Sequence, residues 1–354
     1  GISRRLINFV SALIGFMRGG LAMVNVGVSL FFAEISGSAV ADVAAIGSVL
    51  IPAMKKKGYS PRMAAAVTSS SASLAIIIPP SIPMILYGAL SDTSIVQLFV
   101  AGIVPGLLGG FGMMALCYYF AVRYDLPREE AFSLTRLWKA AKDAGWALIL
   151  PVIILGGIFG GFVTATEGAG LAVIAALVIG GFVYREIDIR LFYHALTDGV
   201  IQTAVVMLLV ASSAVLGLYL TETEMPQRLA ASITTLTTDK FLVLMIINVF
   251  LLFVGMVLHG AAAIILTVPI FMPLVHQIGI DPVQFGILLT LNIALGQQTP
   301  PVASVLVTAC SIARTGIWRT TRTNLPFIGI LLVVLLLVTY VPAVSLSLVD
   351  FFYK

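Results

Sequence analysis
Apolar and polar positions alternate along this chain on the scale of a lipid bilayer. Mostly apolar runs lie near 20 to 35, 64 to 91, 95 to 122, 144 to 163, 168 to 184, 199 to 220, 241 to 258, 260 to 275, 283 to 312 and 324 to 349. A spanning helix needs about 20 such residues, and the runs lack the period-2 alternation of barrel strands. The pattern therefore predicts a polytopic, all-α membrane bundle. Residues 20 to 36 and 39 to 54 are each short for a full span and are joined by small polar residues at Ser36, Gly37 and Ser38. Arg18 precedes them and Lys55, Lys56 and Lys57 follow, so both ends belong on one side, which predicts a re-entrant hairpin. A second hairpin is expected over 241 to 275, with its tip at Leu258, His259 and Gly260.

The prolines show that the two hairpins are related. Pro52, Pro61, Pro79, Pro80 and Pro105 each have a partner 221 positions on, at Pro273, Pro282, Pro300, Pro301 and Pro326. With proline at about 5% of residues, five such matches in one register mark a duplication. Each Pro-Pro pair follows a hairpin and sits inside an apolar run. Proline lacks the amide donor and pushes its predecessor out of the helical region, so two Pro-broken helices are expected, at about 61 to 91 and 283 to 312.

Composition and charge then orient the duplication. The sequence is 60% hydrophobic and 10% charged, with a mean hydropathy of +1.09, which excludes a soluble globular domain. The formal charge of +4 reports membrane orientation and not nucleic-acid binding. The loop after Pro52 carries Lys55, Lys56, Lys57 and Arg62, whereas its partner at 276 to 283 has Asp281 and no Lys or Arg. One element later the bias reverses: 91 to 94 has only Asp92, and its partner region has Arg314, Arg319 and Arg322. The repeats are thus expected to be inverted, an arrangement common among secondary transporters. Cys117 and Cys310 fall in apolar runs and read as core thiols.

Unwound backbone at membrane depth is tolerated where it lines a site, so the tips and breaks carry the candidate chemistry. Ser36 and Ser38 at the first tip and Thr68, Ser69, Ser70, Ser71 and Ser73 before the first break offer the oxygens that sodium accepts. The alternative for this small-residue run is close helix packing. Asp42 is either a modifier of that cation site or a charge at a helix start. Asn292 is either a substrate contact or a bond between helices. Glu167 follows Thr164 at capping-box spacing. Arg4, Arg5 and Arg18 flank an amphipathic interfacial segment, and 223 to 240 is its short polar counterpart.

The segments GSAVADVAAIG, IIPPSIP, YGALSDTS, TATEGAGLAV, GIDPVQFGIL and QTPPVAS resemble the large membrane subunit of tripartite ATP-independent periplasmic transporters, across essentially the whole chain. The resemblance implies an elevator transporter that couples sodium to organic-acid import in the bacterial inner membrane. It also implies a small four-helix membrane subunit and a periplasmic substrate-binding protein as partners. One sodium site would map to Ser36, Gly37 and Ser38 with Ser69 to Ser73, and another to Gly255, Leu258 and Gly260 with Gly296, Gln298 and Thr299. The domains would be an arm at 1–19, a first transport repeat at 20–122, a linker and scaffold at 123–222, a second arm at 223–240 and a second repeat at 241–354. Symmetry further predicts roughly 75 residues of scaffold before residue 1.

The sequence departs from the family pattern at His259-Gly260 and at Gln297-Gln298, where substrate selection is expected. Substrate contacts would come from Ser36, Ser38, His259, Asn292, Gln297, Gln298 and Thr299. His259 can pair with a carboxylate when protonated, or cap a helix. The glutamines suit a sugar acid such as sialic acid better than a C4-dicarboxylate. Three other readings stand beside this one: a divalent-anion symporter without a binding protein, a channel, and an intramembrane protease built on Ser38 and His259. The protease reading lacks an orienting group and an oxyanion motif.

Overall fold
Without water in the hydrocarbon, backbone amides and carbonyls must pair within a segment, and the chain does this almost entirely in helices. The computed structural model describes residues 2–126, 131–225, 228 and 239–353, with no strand among them. Most of the expected second arm, at 226, 227 and 229 to 238, lies outside the described residues.

The helices are α1 (Ile2–Ile14), α2 (Gly20–Ser36), α3 (Ala39–Asp42), α4 (Ser48–Lys56), α5 (Pro61–Ala72), α6 (Ile82–Ser91), α7 (Ile95–Arg123) and α8 (Leu134–Phe159). They continue as α9 (Ala165–Val178), α10 (Ile189–Glu222), α11 (Lys240–Val257), α12 (Gly260–Ile278) and α13 (Pro282–Gly296), then α14 (Ser304–Ala313), α15 (Ile317–Tyr340) and α16 (Ala343–Tyr353). Seven stretches among the described residues are long and apolar enough to cross a bilayer: α7, α8, Ala165–Val183, Ile189–Leu220, α11, α12 and α15.

The repeat is visible in how its elements begin and end. Gly37 closes α2 in the left-handed region, at φ 61°, and its N–H donates to Ala33 O at 3.2 Å. Only glycine fits there, because a Cβ would lie 2.9 Å from Pro80 O. Ser38 then starts α3, which passes through a π-helical turn at Val43–Gly47 into α4. At the matching place α11 ends at Val257, Leu258 and His259 are extended, and α12 begins at Gly260.

The following helices share a starting device. Ser60 accepts from Met63 N with Pro61 in the first turn, and Asp281 accepts from Val283 N at 2.8 Å with Pro282 in the first turn. Helix α5 tightens into a 3-10 turn at Ser73–Ile76 and stops before the Pro79-Pro80 pair, and α13 stops before Pro300-Pro301. Both pairs contain a cis peptide bond. Side chains and loop amides satisfy the groups these breaks release. Ser81 Oγ donates to Ile76 O at 2.7 Å, Val305 N to Gln297 O at 3.1 Å, and Val302 N to Met256 O at 3.2 Å.

Helices α5 and α13 form the centre of the molecule, being buried from Met63 to Ala72 and from Val283 to Gly296. Helix α10 is the opposite case, exposed along most of its length, with α12 as its principal neighbour. Arm helix α1 packs on α2 and α8. Cys117 and Cys310 are buried free thiols, as their apolar settings suggested.

Some sequence-based boundaries shift. The run at 324 to 349 is two helices, because Pro342 keeps Val341 out of the helical region between α15 and α16. Helix α8 begins ten residues before the apolar run at 144, capped by Ser133, whose Oγ accepts from Arg136 N. Helix α10 likewise begins at Ile189, ahead of the apolar run at 199.

Candidate functional site at the hairpin tips
The two helix junctions and the second break meet. Gly37 and Ser38 from the first tip, His259 and Gly260 from the second, and Gln297 from the break line one cavity of about 110 Å³. Gln202 of α10 closes it from the side. Each tip residue is placed by a helix end. Ser38 occupies the start of α3 and His259 the start of α12, and neither side chain makes a capping hydrogen bond, so both keep their polar groups for the cavity. His259 thus takes the N-cap position of α12, but the alternative that its side chain caps the helix finds no hydrogen bond there. Gly260 lets the second tip approach the break, since a Cβ there would lie 2.7 Å from Gln297 Nε2.

Behind the first tip lies the one carboxylate of the site. Ser36 Oγ donates to Asp42 Oδ1, and Ser38 N donates to Ser36 Oγ at 3.2 Å. Asp42 is fully buried, and its Oδ2 has no hydrogen-bond partner among the described residues. A buried acceptor left without a donor is costly, and a cation offsets that cost. The first tip therefore suits an oxygen-seeking ion such as sodium. Among the described residues no group of three His, Cys, Asp or Glu side chains converges, so the donor set is hydroxyl, amide, carbonyl and this one carboxylate.

The serine run does not converge on the first tip as one constellation. Successive helical residues point about 100° apart. Ser69 Oγ and Ser73 Oγ donate to Ala66 O and Ser69 O on their own helix. Ser71 Oγ pairs with Ser29 Oγ of α2 at 2.9 Å and reaches Asn25 Oδ1 at 3.4 Å. Ser70 turns to the other repeat, with 2.7 Å to Gln298 Oε1 and 2.6 Å to Asn324 Oδ1, while Asn324 Nδ2 donates to Gln298 Oε1. Gln298 is thus directed into the protein, away from the cavity that Gln297 lines.

The second repeat repeats the theme. Asn292, the 221-residue partner of Ser71, donates to Asn248 Oδ1 at 2.7 Å and to Leu288 O, a bond between α13 and α11. Its own Oδ1 is buried with no hydrogen-bond partner among the described residues. Thr299 Oγ1 donates to Leu295 O at 2.8 Å. Gly255 and Gly296 bring α11 and α13 into backbone contact: a Cβ on Gly296 would fall against Gly255, 2.7 Å from its oxygen.

Sequence reasoning missed Gln202, Asn25, Ser29, Asn248 and Asn324. The available signal was a polar side chain isolated in an apolar helix, which is rare in lipid and faces protein or a cavity when it occurs.

Known proteins place this arrangement. The profile of the family described as "Tripartite ATP-independent periplasmic transporter, DctM component" matches residues 1–344. The isethionate TRAP transporter permease protein DctMQ of Oleidesulfovibrio alaskensis is 41% identical over 347 residues, covering 98% of this chain and 55% of that protein. The C4-dicarboxylate TRAP transporter large permease protein DctM of Pseudomonas aeruginosa is 38% identical over 348 residues, covering 98% of this chain and 82% of the relative. The sialic acid TRAP transporter large permease protein SiaM of Vibrio cholerae is 36% identical over 352 residues, covering 99% and 82%. The family is one of transporter permeases and not of enzymes, which removes the protease reading. With matching motifs, helices and relatives along nearly its whole length, the chain belongs to the DctM family of tripartite ATP-independent periplasmic transporter components.

Proposed function
We propose that this chain is the large membrane subunit of a sodium-coupled importer of organic acid anions in the bacterial inner membrane, working by an elevator movement. The observation that carries this reading is the cavity shared by both hairpin tips and the second break, a mostly apolar space into which Ser38, His259, Gln297 and Gln202 bring polar groups beside the exposed helix α10. Ser38 Oγ, His259 and the Gln297 amide would bind the anion and its hydroxyls, while Gln202 faces them from α10. Ser36 and Asp42 would hold one cation. Gly255, Leu258, Gly260, Gly296, Gln298 and Thr299 would frame the other. Bound sodium supplies the positive charge that lets an anion sit at low dielectric, so the loaded hairpins can move as a unit.

The substrate class follows the relatives' names only as far as an organic anion with a carboxylate or sulfonate. The amide and imidazole of Gln297 and His259 favour a polyhydroxylated sugar acid such as sialic acid over a C4-dicarboxylate. The partners are a periplasmic substrate-binding protein and a small four-helix membrane subunit. The name DctMQ, on a relative of which this chain covers 55%, supports the second.

Reconstitution with the small subunit tests the proposal. Uptake is expected only with an inward sodium gradient and the cognate binding protein together. Ser36→Ala and Thr299→Ala should each raise the sodium needed for half-maximal uptake by about five- to tenfold, the loss of one ligand at roughly 1 kcal/mol. Uptake without the binding protein would instead establish the divalent-anion symporter reading. Unaltered sodium dependence in both variants removes the ion-site assignment.

A further inference from the structure
A second polar cavity lies far from the tips, at the end of the molecule where the charge pattern places the cytoplasm. Helices α5, α7 and α15 leave a space of about 610 Å³, lined by Arg62, Arg319 and Arg322 together with Phe120, Tyr124 and Pro326. None of the three arginines has a hydrogen bond or ion pair among the described residues. Three uncompensated guanidinium groups around one space repel one another unless an anion joins them. Their positions strengthen the effect. Arg62 is in the first turn of α5 and Arg319 in the first turn of α15, where helix dipoles also favour negative charge. Helix α15 starts from Gly316 with no side-chain cap, so its first amides are not answered by a capping side chain.

The surroundings select the kind of anion. Trp318 and Tyr119, the chain neighbours of the lining residues Arg319 and Phe120, are 74% and 54% exposed, amphipathic aromatics of the kind enriched at headgroup level. Phe120, Met63 and Pro326 supply apolar wall beside the arginines. A soluble phosphate has no use for that wall, whereas a phospholipid places its phosphate among the arginines and its glycerol and upper acyl carbons against the ring and the proline. We propose that this pocket binds the headgroup phosphate of an anionic phospholipid of the cytoplasmic leaflet. The site is independent of the transport reading and requires only that the chain spans a membrane.

The test uses the full chain in nanodiscs of phosphatidylcholine with and without phosphatidylglycerol, read by native mass spectrometry and thermal melting. The wild type is expected to retain phosphatidylglycerol and to melt higher with it. Each guanidinium removed should weaken retention about fivefold, so R319Q/R322Q should lose roughly twenty-five-fold. R319K/R322K, which keeps the charge, should retain most of the lipid, and R62Q supplies a single-site measurement if the double variant does not fold. Equal retention in wild type and glutamine variants overturns the proposal. Stabilisation by millimolar inorganic phosphate in pure phosphatidylcholine, matching that by phosphatidylglycerol, also overturns it and identifies a soluble-anion site.

Discussion

At the residue scale, glycines decide how closely the pieces of the site approach. Gly296 and Gly260 both face a neighbour across the second repeat, but the neighbours differ in how far they can yield. A Cβ on Gly296 meets the backbone of Gly255, whereas one on Gly260 meets the far end of the Gln297 side chain. Gly296→Ala should therefore cost about 1–3 kcal/mol and lower the melting temperature in detergent, with Gly260→Ala distinctly milder. Equal losses would show that the close contact of α11 and α13 is not what Gly296 serves. The positions of these residues were legible in the sequence, because the proline register and the tips marked where the backbone opens. Their directions were not. Ser69, Ser70, Ser71 and Ser73 read as one oxygen cluster, yet helical geometry sends Ser70 to the opposite repeat and Ser71 to α2. Gln298 is turned inward for the same reason, and Asn324 needed its distant partners to be noticed.

At the element scale, the arm shows how a short amphipathic helix is tied down. Arg5 of α1 hydrogen-bonds Glu186 at 2.9 Å, pairs with Asp143 of α8 at 3.4 Å and lies 3.8 Å over the Tyr184 ring. The Arg5 hydrogen bond holds the Glu186 carboxyl below its ordinary range. A depressed carboxylate contributes stability that is full above its unfolded pKa and fades as pH falls through the lower, folded value. The pair is partly exposed, so the effect is local. Protection of the α1 amides against exchange, taken relative to the intrinsic rate at each pH, should fall on going from about pH 7 to about pH 3, and Glu186→Gln should show the lower protection already at neutral pH. A pH-independent α1 would mean that packing alone holds the arm. The sequence revealed this arm as an amphipathic stretch but not its partners, since Arg5 and Glu186 are 181 residues apart. Helix starts were easier to read: Thr164 and Glu167 form the reciprocal capping box that their spacing implied.

At the scale of the whole molecule, the tips belong to the buried repeats and Gln202 to a helix that hardly packs on them. If the repeats slide past α10, joining the two sides should stop transport without abolishing ion binding. Val206→Cys with Ala261→Cys, which line the same cavity from α10 and α12, cross-linked by a short bis-maleimide, is expected to lower uptake about tenfold or more relative to the same variant before cross-linking while leaving sodium-dependent melting intact. Undiminished uptake in the cross-linked fraction would refute the sliding movement. The native thiols do not complicate this, because Cys117 and Cys310 are buried.

The bridge of Ser70, Gln298 and Asn324 that joins the two repeats contains only hydroxyl and amide groups. None of them gains or loses a proton in the physiological range. The joint between the halves is therefore blind to acidity. A protein exposed to one pH on each face of its membrane keeps its repeats locked together regardless of the difference, and any response to protons must enter elsewhere.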